Sequence, residues 1–185
     1  SLRNIFIGFM LIFLDFNLNL GNLQIGLIPD FIGYIVMING LMEMAGESQL
    51  FLKVKPYATG MAVYTGILYF MDLFGISASL GALSYILAIA STIISLYISY
   101  NIVMGVKEIE EKYNAILNGD SLKSTWTLLA VFNIIVYISL LIPALAVICI
   151  IVTFIVAICF LVAFSKSKDL YYEMEARPGK EDLED

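Results

Sequence analysis

The sequence predicts an all-α polytopic integral membrane protein. Six transmembrane helices form three antiparallel hairpins, with a short extended or β-hairpin-like outer segment between helices 1 and 2. Three observations predict it. The 185 residues are 61% hydrophobic and 14% charged, with a mean hydropathy of +0.92, well above what a soluble domain of this length carries. The apolar residues fall in five long runs and one shorter run, punctuated by charges, Gly and Pro. All ten Lys and Arg then lie in alternate connections: Arg3; Lys53 and Lys55; Lys107, Lys112 and Lys123; Lys166, Lys168, Arg177 and Lys180. Positive charge resists translocation. Both termini are therefore expected in the cytoplasm, and the outer segments carry only Asp15, Asp30 and Asp72.

Arg3 followed by the apolar run 4–14 resembles the start of a signal peptide. No small-residue cleavage site follows and Asp15 ends the run, which predicts an uncleaved first span. Phe16, Leu18 and Leu20 alternate with Asn17 and Asn19, and Leu23, Ile25 and Leu27 alternate with Gln24 and Gly26. Period-two alternation around Gly21-Asn22 is a hairpin signal; a helix running to Leu20 and capped by Gly21 is the other reading. Pro29-Asp30 opens helix 2 with Asp30 as N-cap, and helix 2 over 31–45 would be about 22 Å long. Residues 47–56 read as an inner loop, 57–73 as helix 3 and 75–79 as an uncharged outer turn.

Helix 4 should begin near residue 80 and cross by about residue 104. Val106, Ile109, Tyr113, Ile116 and Leu117 continue its apolar stripe and Glu108–Lys112 forms an i, i+4 pair. These extend it into the cytoplasm to about residue 118, with Gly119 as the stop. Asp120-Ser121 opens helix 5, and Trp126 stands at interface depth. The run 125–164 is too long for one span, so Pro143 places an outer turn at 141–144. Helix 6 continues to Met174, completing a single domain over 1–174; residues 175–185 read as a disordered acidic tail.

The chain has no His, which removes His-based zinc sites and Ser–His or Cys–His catalysis within it. No nucleophile–base set is visible, so neither an enzyme nor a bound cofactor is expected. Cys149 and Cys159 lie on one helix about 15 Å apart, too far for a disulfide, and read as packed apolar thiols. The net charge is −6 and no basic surface for nucleic acid exists. The expected partners are the lipid bilayer and either a small solute or another membrane protein.

Polar residues inside a membrane are costly and carry information. Asn39, Thr65, Thr92 (with Ser91 beside it), Asn133 and Thr153 fall near the midplane on five helices. Such a belt binds a small polar solute or supplies interhelical hydrogen bonds; both readings stand. Glu43, i+4 from Asn39, either pairs with Asn101, carries a proton or snorkels to the cytoplasm. Asp15, Asp30 and Asp72 at the outer boundary form a mouth for a cation or cationic solute, or each caps a helix. Gly33 and Gly40, one heptad apart, mark close helix packing.

The stretch Leu27-Ile-Pro-Asp-Phe-Ile-Gly-Tyr34, with the Asn/Gly-rich segment before it, resembles one found in small, uncharacterised multi-pass membrane proteins of Gram-positive bacteria. That resemblance implies a bacterial plasma membrane and no particular activity. The six-span layout is also similar in size to the substrate-binding subunits of vitamin uptake transporters, although those favour small residues spaced by three on helix 1, where 5–14 offers only Gly8. The leading expectation is a transport protein or substrate-binding transport subunit for a small solute, perhaps cationic. The alternative is a non-catalytic accessory or assembly protein that docks partners through its cytoplasmic helix ends.

Overall fold

The computed structural model describes residues 1–18, 29–74 and 81–177, and of 15–18 the backbone alone. It holds six helices: α1 (Leu2–Leu18), α2 (Asp30–Glu43), α3 (Gln49–Leu73), α4 (Ala82–Tyr113), α5 (Gly119–Ser139) and α6 (Pro143–Glu175). Among the described residues there is no strand, and the fold is all-α. Three of these helices, α4, α5 and α6, are long and apolar enough to cross a membrane; α1 contributes a shorter apolar stretch, Leu2–Leu14.

Several boundaries differ from the sequence reading. α1 extends through Leu18, three residues into the segment expected to be extended, because each added turn satisfies backbone groups that an apolar surrounding leaves without water. The rest of that segment, 19–28, and the outer turn at 75–79 lie outside the described residues, as do residues 178–185 of the tail. α3 starts eight residues before the expected 57 and absorbs most of the supposed inner loop. Ser48 caps it, its Oγ accepting from the Leu50 N–H at 3.1 Å. Pro56 removes one helical hydrogen bond, yet Phe51, Val54 and Ala58 are fully buried on the same face. Packing of that stripe outweighs the local breaker.

α4 stops at Tyr113, five residues short of the expected 118. Asn114 takes the left-handed conformation, φ 48°, and the Ala115 N–H bonds back to Glu110 O at 3.0 Å, an αL-type stop. Leu117 is buried but Ile116 is 85% exposed, so the apparent stripe is broken there. Gly119 begins α5 rather than ending α4. Glu110 holds the connection by accepting from the Leu117 N–H at 2.8 Å. A Cβ on Gly119 would fall 1.9 Å from Glu110 Oε1, so glycine leaves room for that carboxylate. Pro143 opens α6 after a turn at 140–142, close to the turn anticipated at 141–144.

Each helix packs on its chain neighbours and α6 closes against α1, so the helices form a ring. One end of the ring is tied by polar contacts. Asn4 donates to Glu43 at 3.0 Å. Ser48 Oγ donates to Glu108. Lys112 meets Glu47 at 3.5 Å, Lys107 meets Asp120 at 2.9 Å, and Lys168 stands 4.7 Å from the centre of the Phe6 ring. The Lys107 partner pulls the Asp120 carboxyl below its usual range and is itself raised. Burial, then the hydrogen bond to Glu175, pushes Tyr171 up.

The tightest packing lies toward this end. A Cβ on Gly8 would meet Gly33 O at 2.8 Å, and one on Gly40 would meet Ile5 N and Ser1 O at 2.8 Å, so α1 and α2 touch backbone to backbone, as the Gly33/Gly40 spacing suggested. Phe9 sits edge-on to Phe160 and Phe164, both at 5.3 Å, sealing α1 to α6. Phe51 fills the space over Gly105 between α3 and α4. Trp126 packs at a tilt against Tyr100, ring centres 5.0 Å apart, and donates to Ser99 Oγ at 2.8 Å, joining α5 to α4. The outward faces are apolar instead of polar. Ile67, Ile86, Ile134, Ile138, Val147 and Ile155 are all exposed, a distribution suited to lipid.

Candidate functional site

Away from the tied end the ring does not close on itself. It leaves a partly open cavity of about 340 Å³ to which all six helices contribute. Of the five midplane belt residues and Glu43 beside them, four line it: Thr65 from α3, Thr92 from α4, Asn133 from α5 and Thr153 from α6. These side chains meet because each lies on the inward face of its helix. Ile12, Phe13, Leu68, Leu87 and Leu129 complete an apolar wall, and Asp30 and Tyr34 enter from α2.

The other two are elsewhere. Asn39 is exposed on α2. Its helix turns Gly33, Tyr34, Met37, Gly40 and Leu41 inward, a register that carries position 39 out of the bundle. Glu43 is half-exposed at the tied end, bonded to Asn4 and to the Ser1 nitrogen, and takes no part in the cavity. Asn101, its suggested partner, instead donates to Tyr97 O at 2.8 Å within its own helix.

The outer carboxylates also separate. Asp30 lines the cavity, in the first turn of α2 where the helix dipole favours an anion; Pro29, not Asp30, occupies the N-cap. Asp72 is exposed and does not line the cavity. The Asp15 side chain lies outside the described residues. Of the two outer acids whose side chains are described, Asp30 lies in the cavity and Asp72 outside it. Among the described residues no group of three or more Cys, Asp or Glu is placed to hold a metal ion.

The hydrogen bonds of the lining have a consistent direction. Thr65 Oγ1 donates to Met61 O at 2.7 Å, and Ser91 Oγ to Leu87 O at 2.8 Å. Thr92 Oγ1 and Tyr137 OH both reach Ala88 O, at 3.0 and 2.9 Å. Thr153 Oγ1 donates to Cys149 O at 2.7 Å, and Asn133 Nδ2 to Leu129 O at 2.7 Å. Back-bonding to the carbonyl one turn earlier is the ordinary way for Ser and Thr to sit inside a helix. For Thr65, Ser91 and Thr153 it turns the proton into the helix and leaves oxygen lone pairs over, while Thr92 and Tyr137 also bond each other. Tyr34 bonds Ser95 and lies within electrostatic reach of Asp30.

Reading the sequence missed Tyr34, Tyr64, Tyr137, Ser84, Ser95 and Ser99 as lining residues. A signal for the serines was present. Ser84, Ala88, Ser91, Ser95 and Ser99 follow i, i+4, i+7, i+11, i+15 along α4, one unbroken small-residue face. The tyrosines carried none, since aromatic residues at helical spacing look alike whether they face lipid, core or cavity. The two cysteines are free, Cys149 buried and Cys159 exposed. No protein-family model, curated protein or solved structure matches this chain.

Proposed function

We propose that this protein is a membrane transport protein, or the substrate-binding subunit of one, for a small solute. The observation that carries the reading is the cavity of about 340 Å³ lined from all six helices. A bundle whose only task is to hold partners gains nothing from an unfilled interior, because lost packing costs stability. Sites of this kind, apolar with a few convergent polar groups, are characteristic of small-molecule binding. In transporters they lie near the midplane between helices.

The reading includes six crossings as three antiparallel hairpins, with both termini in the cytoplasm. Two features support it. The contacts at the tied end join the start of α1, the end of α2, the start of α3, the end of α4, the start of α5 and the end of α6, so successive helices alternate in direction. That end also carries Lys107, Lys112 and Lys168, the charge expected inside. α2 has 14 residues, about 21 Å, and needs local thinning of the bilayer. The likeness of residues 27–34 to proteins of Gram-positive bacteria supports a bacterial plasma membrane. A dry, Gly-packed core would favour the accessory reading; among the described residues tight Gly contacts occur between α1 and α2, at Gly105 and at Gly119, and none of these glycines lines the cavity.

The test is water access. In a Cys149→Ala/Cys159→Ala background, Thr65→Cys and Asn133→Cys are introduced singly, with Ile134→Cys and Ile151→Cys as outward-facing controls. Membranes are treated with a small water-soluble methanethiosulfonate. Reaction at the two inner positions and none at the controls is expected. Silence at both inner positions would mean a dry core and return the accessory reading.

A further inference from the structure

The direction of the lining hydrogen bonds restricts what the cavity can bind. Thr65, Ser91 and Thr153 donate to carbonyls of their own helices, Thr92 and Tyr137 share their protons between Ala88 O and each other, and Asn133 gives one N–H to Leu129 O. What they have left to present is mainly oxygen lone pairs, with the second N–H of Asn133 the remaining donor among them. A carboxylate, Asp30, stands among them, and among the described residues no Lys or Arg lines the cavity. The interior is therefore rich in acceptors and negative in charge. An anion would meet like charge and few donors, and a neutral acceptor such as a ketone would leave the lining unpaired.

Size and wall chemistry narrow the choice further. About 340 Å³ is room for roughly eleven water-sized groups, far more than a bare ion fills. A hard divalent ion draws six to eight oxygens tightly around itself, a demand that an apolar-walled space of this size does not match. Phe13, Tyr34, Tyr64 and Tyr137 bring ring surface to the cavity, which attracts an organic cation, and the leucines suit an apolar body.

We infer that the cavity binds a small organic ammonium ion, its N–H groups directed to the inward-facing oxygens of α3–α6, its charge balanced by Asp30 and its apolar body against the leucine and aromatic wall. This rests on the cavity being a solute site, as proposed above. Asp30 then serves as the counter-charge and the hydroxyl belt as the donor-selecting surface.

The experiment uses three probes with one ring and different heads: benzylammonium, benzyl alcohol and benzoate. The readout is protection of the Asn133→Cys variant, in the cysteine-free background, from the methanethiosulfonate reagent, in neutral detergent. Benzylammonium should protect at concentrations at least about tenfold below those of the other two, as expected for a charge-assisted hydrogen bond. Adding Asp30→Asn should remove that preference, while Asp72→Asn should preserve it. Equal or better protection by benzoate, or no protection by benzylammonium at all, overturns the inference. So does a preference that survives Asp30→Asn. Should Asp30→Asn not fold, the comparison of benzylammonium with benzoate decides alone. Reaction of the Asn133→Cys variant without cation preference defeats this inference and leaves the solute site standing; absence of any reaction defeats both.

Discussion

Two glycine substitutions should shift stability in opposite directions, although both replace a helical Gly with Ala. In Gly8→Ala the new Cβ would lie 2.8 Å from Gly33 O and from Met37 Cβ, and 3.1 Å from Met37 Cα. None of these atoms is the far end of a flexible side chain. Ordinary contact begins at 3.4 Å, so α1 and α2 must part by about 0.6 Å or tilt, loosening Phe9 against Phe160 and Phe164. Overpacking of this kind costs about 1–3 kcal/mol. In Gly60→Ala nothing lies within 4 Å of the new Cβ. There the substitution removes only glycine's backbone freedom inside α3 and should stabilise by about 0.5–1 kcal/mol. The two variants should thus differ by roughly 1.5–4 kcal/mol, about ten-fold or more in the ratio of folded to unfolded protein. Unfolding of each purified variant by titrating a denaturing detergent into neutral micelles measures this. Gly40→Ala, which would bring Cβ to 2.8 Å from two backbone atoms, should behave like Gly8→Ala. A Gly8→Ala variant as stable as the wild type, or a Gly60→Ala variant equally weakened, would refute the backbone-to-backbone contact of α1 and α2.

Gly105→Ala should lose about 1–3 kcal/mol by driving Cβ to 2.7 Å from Phe51 Cζ, and Phe51→Leu should recover part of that loss in the double variant; additive losses in a double-mutant cycle would count against the contact. The Lys107–Asp120 pair predicts a pH signature. Asp120's lowered pKa, caused first by the hydrogen bond from Lys107, contributes stability above the unfolded carboxyl range near pH 4, lost as pH falls through the folded value. Lys107's raised pKa contributes below its unfolded range near pH 10, lost as pH rises through its folded value. Asp120 is exposed and Lys107 partly so, so the effect is small and screened by salt. Melting curves of wild type and Asp120→Asn should diverge between those limits and converge in 0.5 M NaCl; a gap independent of pH and salt would exclude the ion pair as its source.

How far the site was legible depended on the kind of residue. Thr65, Thr92, Asn133 and Thr153 stood out because a polar side chain amid apolar residues is rare, and all four line one cavity. Asn39 had the same depth and chemistry but faces outward. Depth is set by counting along the chain; facing is set by which stripe packs, and around Asn39 the residues at Gly33, Met37 and Gly40 decide the stripe by contact with α1. Boundaries failed where local signals opposed packing. Pro56 and the lysines before it read as a loop, yet the buried face of Phe51, Val54 and Ala58 carries α3 through them. Ile116-Leu117 extended an apparent stripe that ends at the left-handed Asn114.

The sequence by itself determined an all-α chain of strongly apolar helices, the one-sided placement of positive charge and the absence of imidazole chemistry. Composition and periodicity follow directly from the order of residues, and hydropathy needs no neighbour to be read. Only the tertiary structure decided that the helices close into a ring and that one end packs backbone to backbone through Gly8, Gly33 and Gly40. It also decided that the other part leaves a cavity with Asp30 inside and Asp72 out. The reason is that closure, cavity and charge placement depend on the rotation of each helix about its own axis. That rotation is chosen by side chains far apart in the chain, whose fit has no trace in local sequence.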